Sequence, residues 1–293
     1  MDLTTYAIPA FIALIALELF VSARAHVQDT RGFERRDSWA SLAMGLGSLV
    51  VGIFTKWIWF GIYQFLFQFR LFDLGTGAWA SPLVFAAALV GDDFCYYWFH
   101  RMHHEVRLFW AGHVNHHSSQ YFNLTTALRQ PWTTFASTLF YLPLPLLGFD
   151  PLLLITVHSV NLLYQFWIHT EYVDRLGPLE WIFNTPSHHR VHHGRNVQYL
   201  DRNHGGILIV WDRLFGSFEP ERERVDYGLT KNIDSHSPWN IAFHEWQSLW
   251  RDVRSASSLG EALQLLFQPP GWSPDGRTQT ARELRRRLEV RAG

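Results

Sequence analysis

The sequence predicts an all-α fold: an integral membrane helical bundle of four to five membrane segments in hairpins, with a histidine-rich helical cap on the cytoplasmic side. Three observations lead there. Hydrophobic residues make up 48% of the 293-residue chain and crowd into long runs before residue 170, a pattern that suits lipid better than water. Basic residues collect at one set of segment ends and are sparse at the other, which orients the segments. Ten of the sixteen histidines fall in three clusters, at 100–104, 113–117 and 188–193, and that orientation puts all three on one membrane face. The alternative is a water-soluble protein with buried core helices, which would have to cover those runs with only 17% charged residues.

Taken in order, the first run is Tyr6–Val21. No basic stretch precedes it and no small-residue cleavage pattern follows, so it reads as an uncleaved membrane helix rather than an export signal. Arg24, Arg31, Arg35 and Arg36 come next and assign residues 22–37 to the inside. Trp39–Phe67 and Pro82–Phe99 form a hairpin whose outer turn lies near Gly75 and Gly77, with only Arg70 close by. Its second leg delivers His100 to the inner side. Trp132–Leu147 and Leu152–Ile168 form another hairpin about Gly148–Pro151, and its return leg delivers His169 to the same side. Glu18, Lys56, Asp92 and Asp93 interrupt or border these runs, and several runs fall short of the about 20 residues a spanning helix uses.

Everything after residue 169 is then inside, including sixteen of the twenty-five Lys and Arg residues. Gly205–Trp211 is a short apolar run after a Gly-Gly turn, readable as a strand or a buried helical turn. Thr280–Val290 reads as an Arg/Glu helix whose Arg285–Arg287 triplet is a solvated face. The chain divides into N-terminal membrane helices (1–75), a catalytic domain (76–220) and a cytoplasmic C-terminal tail (221–293).

Composition narrows the chemistry. Cys95 is the only cysteine, which excludes disulfides within the chain, Cys-based zinc sites, Fe–S clusters and CxxCH haem attachment. A net charge of −1 gives no reason to expect nucleic acid. Any metal must therefore be held by histidines and carboxylates. Spacings of three and four put His100/His104, His113/His116/His117 and His189/His192/His193 each on one helix face. That is too many donors for one four-coordinate zinc and about right for two metals with open positions. A zinc hydrolase would want a His-Glu-x-x-His helix, and a carboxylate-bridged bundle would want Glu-x-x-His pairs; the sequence has neither. A nearly all-histidine metal pair at the mouth of a membrane bundle points to oxygen chemistry on a lipid, because iron tolerates an imidazole shell with positions left for O2.

Asp93-Phe-Cys-Tyr-Tyr-Trp-Phe-His-Arg101, with His104 three residues beyond, resembles the first histidine box of the fatty acid hydroxylase/sterol desaturase superfamily. His113-x-x-His-His117 resembles the second box and His189-x-x-His-His193 the third. The stretches 116–129, 184–196 and 205–216 are similar to the alkylglycerol monooxygenase branch. The resemblance covers residues 80–220. It implies an integral-membrane di-iron monooxygenase, with two Fe ions held by His100, His104, His113, His116, His117, His189, His192 and His193. It also implies His169 as a further ligand and makes His188, doubled beside the third box, a candidate for another. The branch implies tetrahydrobiopterin as reductant, although no stretch of the sequence reads as a pterin site. One departure is His204, where an aromatic residue such as tyrosine is expected.

Other residues carry narrower expectations. Asp93 lies two helical turns before His100 and is expected either to accept a ligating imidazole N–H or to make a helix-interface bond. Glu105, next to His104, is expected to orient a ligand or bind metal. His103 sits off the His100/His104 face and suits a hydrogen-bonding or solvent role. His204 is expected to be a surface or packing residue, with a supporting role beside the metals as the minor reading. His158, inside an apolar run, needs a partner; His26, His236 and His244 read as ordinary. No dinucleotide fingerprint or haem module is present, so an external electron donor is required. The expected function is hydroxylation or desaturation of a lipid alkyl chain with O2, an ether lipid being one substrate class. The alternatives are a sterol or carotenoid enzyme of the same superfamily, and a non-redox membrane zinc hydrolase or metal-binding protein.

Overall fold

The computed structural model describes residues 3–24, 30–77, 81–133 and 136–292, so His26 lies outside the described residues. Among them, regular structure is helical throughout, with two isolated antiparallel bridges, Phe183 to Leu208 and Gly194 to Tyr227. The first apolar run forms α1 (Ile8–Arg24) and the second forms α2 (Arg35–Phe67). Glu34 caps α2 by accepting from the Asp37 amide at 2.7 Å. Of the helices described, α2 is the one long and apolar enough to cross a membrane by length and composition. The third run forms α3 (Pro82–Glu105), begun by Ser81 Oγ on the Val84 amide at 3.1 Å and by proline in the first turn. Val106 is extended, and α4 (Arg107–His117) starts immediately after it.

The fourth run is not a continuous helix. A 3-10 turn at Ser137–Tyr141 leads into a short helical turn at Pro143–Leu147, and residues 134 and 135 lie outside the described residues. Pro143 and Pro145 explain the break, since each removes a backbone donor and crowds the preceding turn. The run still follows α2 for much of its length. Trp132 Nε1 donates to the Met44 carbonyl at 2.9 Å near one end, and the Leu71 amide donates to the Leu146 carbonyl at 2.7 Å near the other. Gly148 then turns the chain with φ 109°; a Cβ there would come within 2.1 Å of the Phe72 carbonyl oxygen. Asp150 accepts from the Leu152 and Leu153 amides and starts α5 (Pro151–Trp167).

Helices α3 and α5 lie side by side and are joined by a buried polar ladder. Asp92 bonds His158 Nδ1 at 3.1 Å and Asn161 Nδ2 at 3.0 Å, and Asn161 Oδ1 accepts from Gln165 at 2.7 Å. This gives His158 the partner its apolar surroundings demand. Around the ladder, Ala88, Cys95, Tyr96, Tyr141, Leu144, Leu153 and Val157 form the main apolar core.

The remaining elements close over the histidine-bearing end of this bundle. They are α6 (Pro186–His192), α7 (Pro238–Arg254), α8 (Leu259–Phe267) and α9 (Ala281–Ala292). Arg107 at the start of α4 reaches Glu245 at 2.9 Å and Asp252 at 2.6 Å on α7, while Ile241 and Ala242 pack on Ala40 and Met44 of α2. Of the apolar run at 205–211, residues 205–209 are irregular, and Val210 and Trp211 already belong to a helical turn. The irregular part docks through the Phe183–Leu208 bridge and leads into that turn, Val210–Leu214. Thr280 and Glu283 cap α9 reciprocally. Arg285 is docked on the Leu200 carbonyl, and only Arg286 and Arg287 of its triplet face solvent.

Candidate metal centre

Nine histidines converge in two buried groups. The first comprises His100 and His104 of α3, His113 and His117 of α4, and His192 of α6. The second comprises His116 of α4, His169 just past α5, His189 of α6, and His193 at the end of α6. Helical geometry divides them. The spacing alone puts each cluster on a single face, but the structure splits two of them: His113 and His117, four apart, stay together, while His116, about 60–100° around the helix from them, meets donors of the other group. On α6 the pair His189 and His193 faces the second group while His192 faces the first. Helices α4 and α6 therefore each serve both groups, and within each group the donor atoms lie within 4.8 Å of one another.

The donor spacing is that of nitrogens sharing an ion. His113 Nε2 stands 3.0 Å from His100 Nε2 and 3.2 Å from His117 Nε2. His169 Nε2 stands 3.3 Å from His116 Nε2 and 2.9 Å from His189 Nε2. Two nitrogens bound at about 2.1 Å, about 90–110° apart, would be separated by about 3.0–3.4 Å. His104, His192 and His193 each bury an Nε2 without a hydrogen-bond partner, a need that a shared metal ion would meet. These residues fit metal ions.

Backbone carbonyls orient several rings. His100 Nδ1–H donates to the His204 carbonyl at 2.9 Å, His192 Nδ1–H to the Arg202 carbonyl at 2.9 Å, and His169 Nδ1–H to the Gln165 carbonyl at 2.7 Å. Each bond places the proton on Nδ1 and leaves the Nε2 lone pair for the metal. The carboxylate beside a group histidine is Asp201, 3.4 Å from His104 Nδ1. Asp201 and Asn203 both adopt left-handed backbone, φ 51° and 57°, a conformation Asp and Asn tolerate better than most residues. The Asp-Arg-Asn-His-Gly-Gly composition signals a turn, but nothing local says what that turn meets.

Several expected site residues lie elsewhere. Among the described residues no histidine bonds Asp93; its carboxylate accepts from the Ile207 amide at 2.6 Å, the Leu208 amide at 3.0 Å and Trp211 Nε1 at 2.9 Å. It thus pins the segment that follows His204, and a Cβ at Gly206 would sit 2.8 Å from its Oδ1. Glu105 is bound to Arg101 at 2.9 Å, the cation that the i,i+4 position offers it. His188 belongs to neither group. One residue before His189, it turns to the far side of α6, where its ring meets Phe218 and its Nε2 lies 4.0 Å from Glu180. His103 donates Nδ1–H to its own helix at the Phe99 carbonyl. His204 is not a surface residue: it is fully buried, with its ring 5.0 Å from that of His104. We expect Glu105→Gln to leave metal content unchanged and shift stability by about 0.5 kcal/mol or less; loss of bound metal on elemental analysis would contradict this placement.

Burial and the neighbouring imidazoles hold His113, His117, His189, His192 and His193 well below the usual 6.5, so all are neutral donors at pH 7. The unfolded chain takes up protons on these residues as pH falls through 6.5 and the folded chain does not. Stability should therefore drop below that pH, each histidine contributing up to about 1.4 kcal/mol per unit. Metal affinity should fall in the same direction, since protons compete for the same nitrogens. Thermal melts and metal content between pH 8 and pH 5 test this; a metal content flat across that range would count against histidine ligation.

A family model described as fatty acid hydroxylase matches residues 85–217, the stretch that contains both histidine groups. The chain is 45% identical to alkylglycerol monooxygenase of Homo sapiens over 276 residues, covering 93% of this chain and 60% of that protein. It is 44% identical to the Danio rerio alkylglycerol monooxygenase over 271 residues, covering 92% and 59%. A cholesterol 25-hydroxylase-like protein of Danio rerio is 30% identical over 195 residues, covering 62% of this chain and 73% of its own length. The chain thus spans about three-fifths of the alkylglycerol monooxygenases it matches. No solved structure matches significantly.

Proposed function

The chain belongs to the fatty acid hydroxylase family, and on that premise we propose that it is an integral-membrane di-iron monooxygenase that hydroxylates a lipid, with an ether lipid as the favoured substrate. The observation that carries this is the pair of all-imidazole groups with ligand-like spacing. His100, His104, His113, His117 and His192 would hold one iron, and His116, His169, His189 and His193 the other. When bound, iron supplies the O2 activation that an unactivated C–H bond requires. The protein holds neutral nitrogens in place through the carbonyl bonds to His100, His169 and His192, and it keeps bulk water away from them. Hydroxylation at an ether carbon would yield a hemiacetal and then an aldehyde. A hydrolytic zinc site would use three protein ligands and a carboxylate base, and five imidazoles exceed that need.

The membrane reading is supported by side chains that water would not tolerate on one surface. Along α2, Ile53, Phe54, Trp57, Ile58 and Phe65 are exposed, Trp57 by 75%; α1 exposes Ile12, Leu17 and Phe20, and α3 exposes Leu83 and Val90. We take α1, α2, α3, the broken fourth run and α5 as the crossings. The irregular run is tolerable at that depth because its neighbours bury much of it. Residues 1–75 then form the N-terminal membrane helices, 76–220 the catalytic domain, and 221–293 a cytoplasmic tail clamped to it by Arg107. The electron donor is external, with tetrahydrobiopterin the first choice.

The test is anaerobic iron reconstitution followed by turnover of ether lipids, fatty acyl lipids and sterols under labelled O2, with a pterin or a ferredoxin as reductant. Two irons per chain and label in an ether-lipid product are expected. Full zinc occupancy with retained activity, or iron-loaded protein that neither consumes O2 nor makes product, would sink the proposal. Label appearing only in a sterol would move the chain to another substrate class.

A further inference from the structure

The geometry points to His204 as a hydrogen-bond donor to a small ligand held at the five-histidine group, an inference that rests on the di-iron reading above. His204 is 0% exposed, and among the described residues it is the one histidine with both ring nitrogens buried and outside hydrogen-bond geometry with any partner, the Asp201 carbonyl being the backbone group that faces its ring. Its ring centroid lies 5.0 Å from that of His104 and 5.7 Å from those of His100 and His192. The ring is placed there by its backbone. The His204 amide donates to Asp212 Oδ1 at 2.7 Å, and its carbonyl accepts His100 Nδ1–H at 2.9 Å.

A neutral imidazole has one N–H and one lone pair, and leaving either unmet in the interior is unfavourable. The nearby Tyr97 hydroxyl does not supply the partner, being engaged by Arg101 at 2.8 Å and Ser217 at 2.9 Å. His204 is also absent from the set of five whose donor atoms lie within 4.8 Å of one another, so it stands beside the ligands rather than among them. Five imidazoles leave a six-coordinate ion one open position. A small anion or solvent molecule entering there meets the His204 N–H, and the buried ring gains its missing partner.

Azide titration of the iron-reconstituted full chain, followed by absorbance, tests this. His204→Phe keeps the ring volume and removes both nitrogens; His204→Gln restores an N–H, and His204→Leu repeats the test if the phenylalanine variant does not fold. The Phe variant should keep two irons per chain and bind azide about tenfold more weakly, with the Gln variant recovering most of the affinity. Unchanged azide affinity in the Phe and Leu variants would overturn the assignment. Loss of one iron per chain would overturn it in favour of direct ligation. Failure of the unsubstituted chain to take up iron would instead remove the di-iron reading, and this inference with it.

Discussion

Replacing His169 with alanine is expected to empty the four-histidine group and lower lipid oxidation by at least about 100-fold, the upper end of what removing a mere supporting partner costs. His169 lies between two other donors, 3.3 Å from His116 Nε2 and 2.9 Å from His189 Nε2. It is positioned by the bond from its Nδ1–H to the Gln165 carbonyl. Iron should fall from about two per chain to about one while the first group stays loaded. His188→Ala supplies the contrast: it removes an equally buried imidazole that faces Glu180, and it should keep both irons. A His169→Ala protein with full iron content would remove His169 from the site, and equal iron loss in both variants would mean that burial, not ligation, is being measured.

Arg129→Met should destabilise the protein by about 3–5 kcal/mol, the usual result of stripping one partner from a buried ion pair. Arg129 is 2% exposed and spends its guanidinium entirely inside the protein. It donates to Asp37 Oδ1 at 2.6 Å, the Asp37 carbonyl at 3.0 Å, Ser118 Oγ at 3.0 Å and Ser41 Oγ at 3.1 Å. The chain just after α4 is thereby bolted to the first turn of α2. Asn123 adds a bond to the Gly32 carbonyl, and Glu18 of α1 accepts from the Leu124 amide. Methionine keeps much of the volume but strands the Asp37 carboxylate. A second change, Asp37→Leu, should recover part of the loss, because an apolar pair no longer carries a buried charge. Detergent-solubilised melts decide the matter, and an unchanged melting temperature in the single variant would refute it.

What was legible in the chain followed from short-range rules. The i,i+3 and i,i+4 spacings of His100/His104, His113/His116/His117 and His189/His192/His193 are set by the helix repeat, but they put each cluster on one face and did not show that His116 and His192 part from their neighbours. Apolar runs marked α1, α2, α3 and α5 to within a few residues. The fourth run misled because its composition is apolar while its prolines forbid a continuous helix. Asp93 misled differently. Its place on the His100 face is real, but a backbone loop more than a hundred residues away offers its carboxylate three donors, and among the described residues no histidine offers one. Glu105 was taken up by Arg101, a competitor visible in the sequence at the fourth position back.

By itself, the sequence determined that the chain is helical and strongly apolar in its first half, and that any metal would be held by histidines and carboxylates rather than cysteines. Each of those conclusions depends on composition or on periodicity within a few turns. Only the tertiary structure decided that His192 joins the first group and His189 the second, that Asp201 rather than Asp93 or Glu105 stands beside a group histidine, and that His204 is buried against the centre. Those outcomes depend on which distant segments meet, and the contacts that bring them together carry no local signature. The turn at 201–206 shows the difference: its residues announce a turn, but its role at the centre comes from Asp212 and His100, which meet it only after the chain has folded.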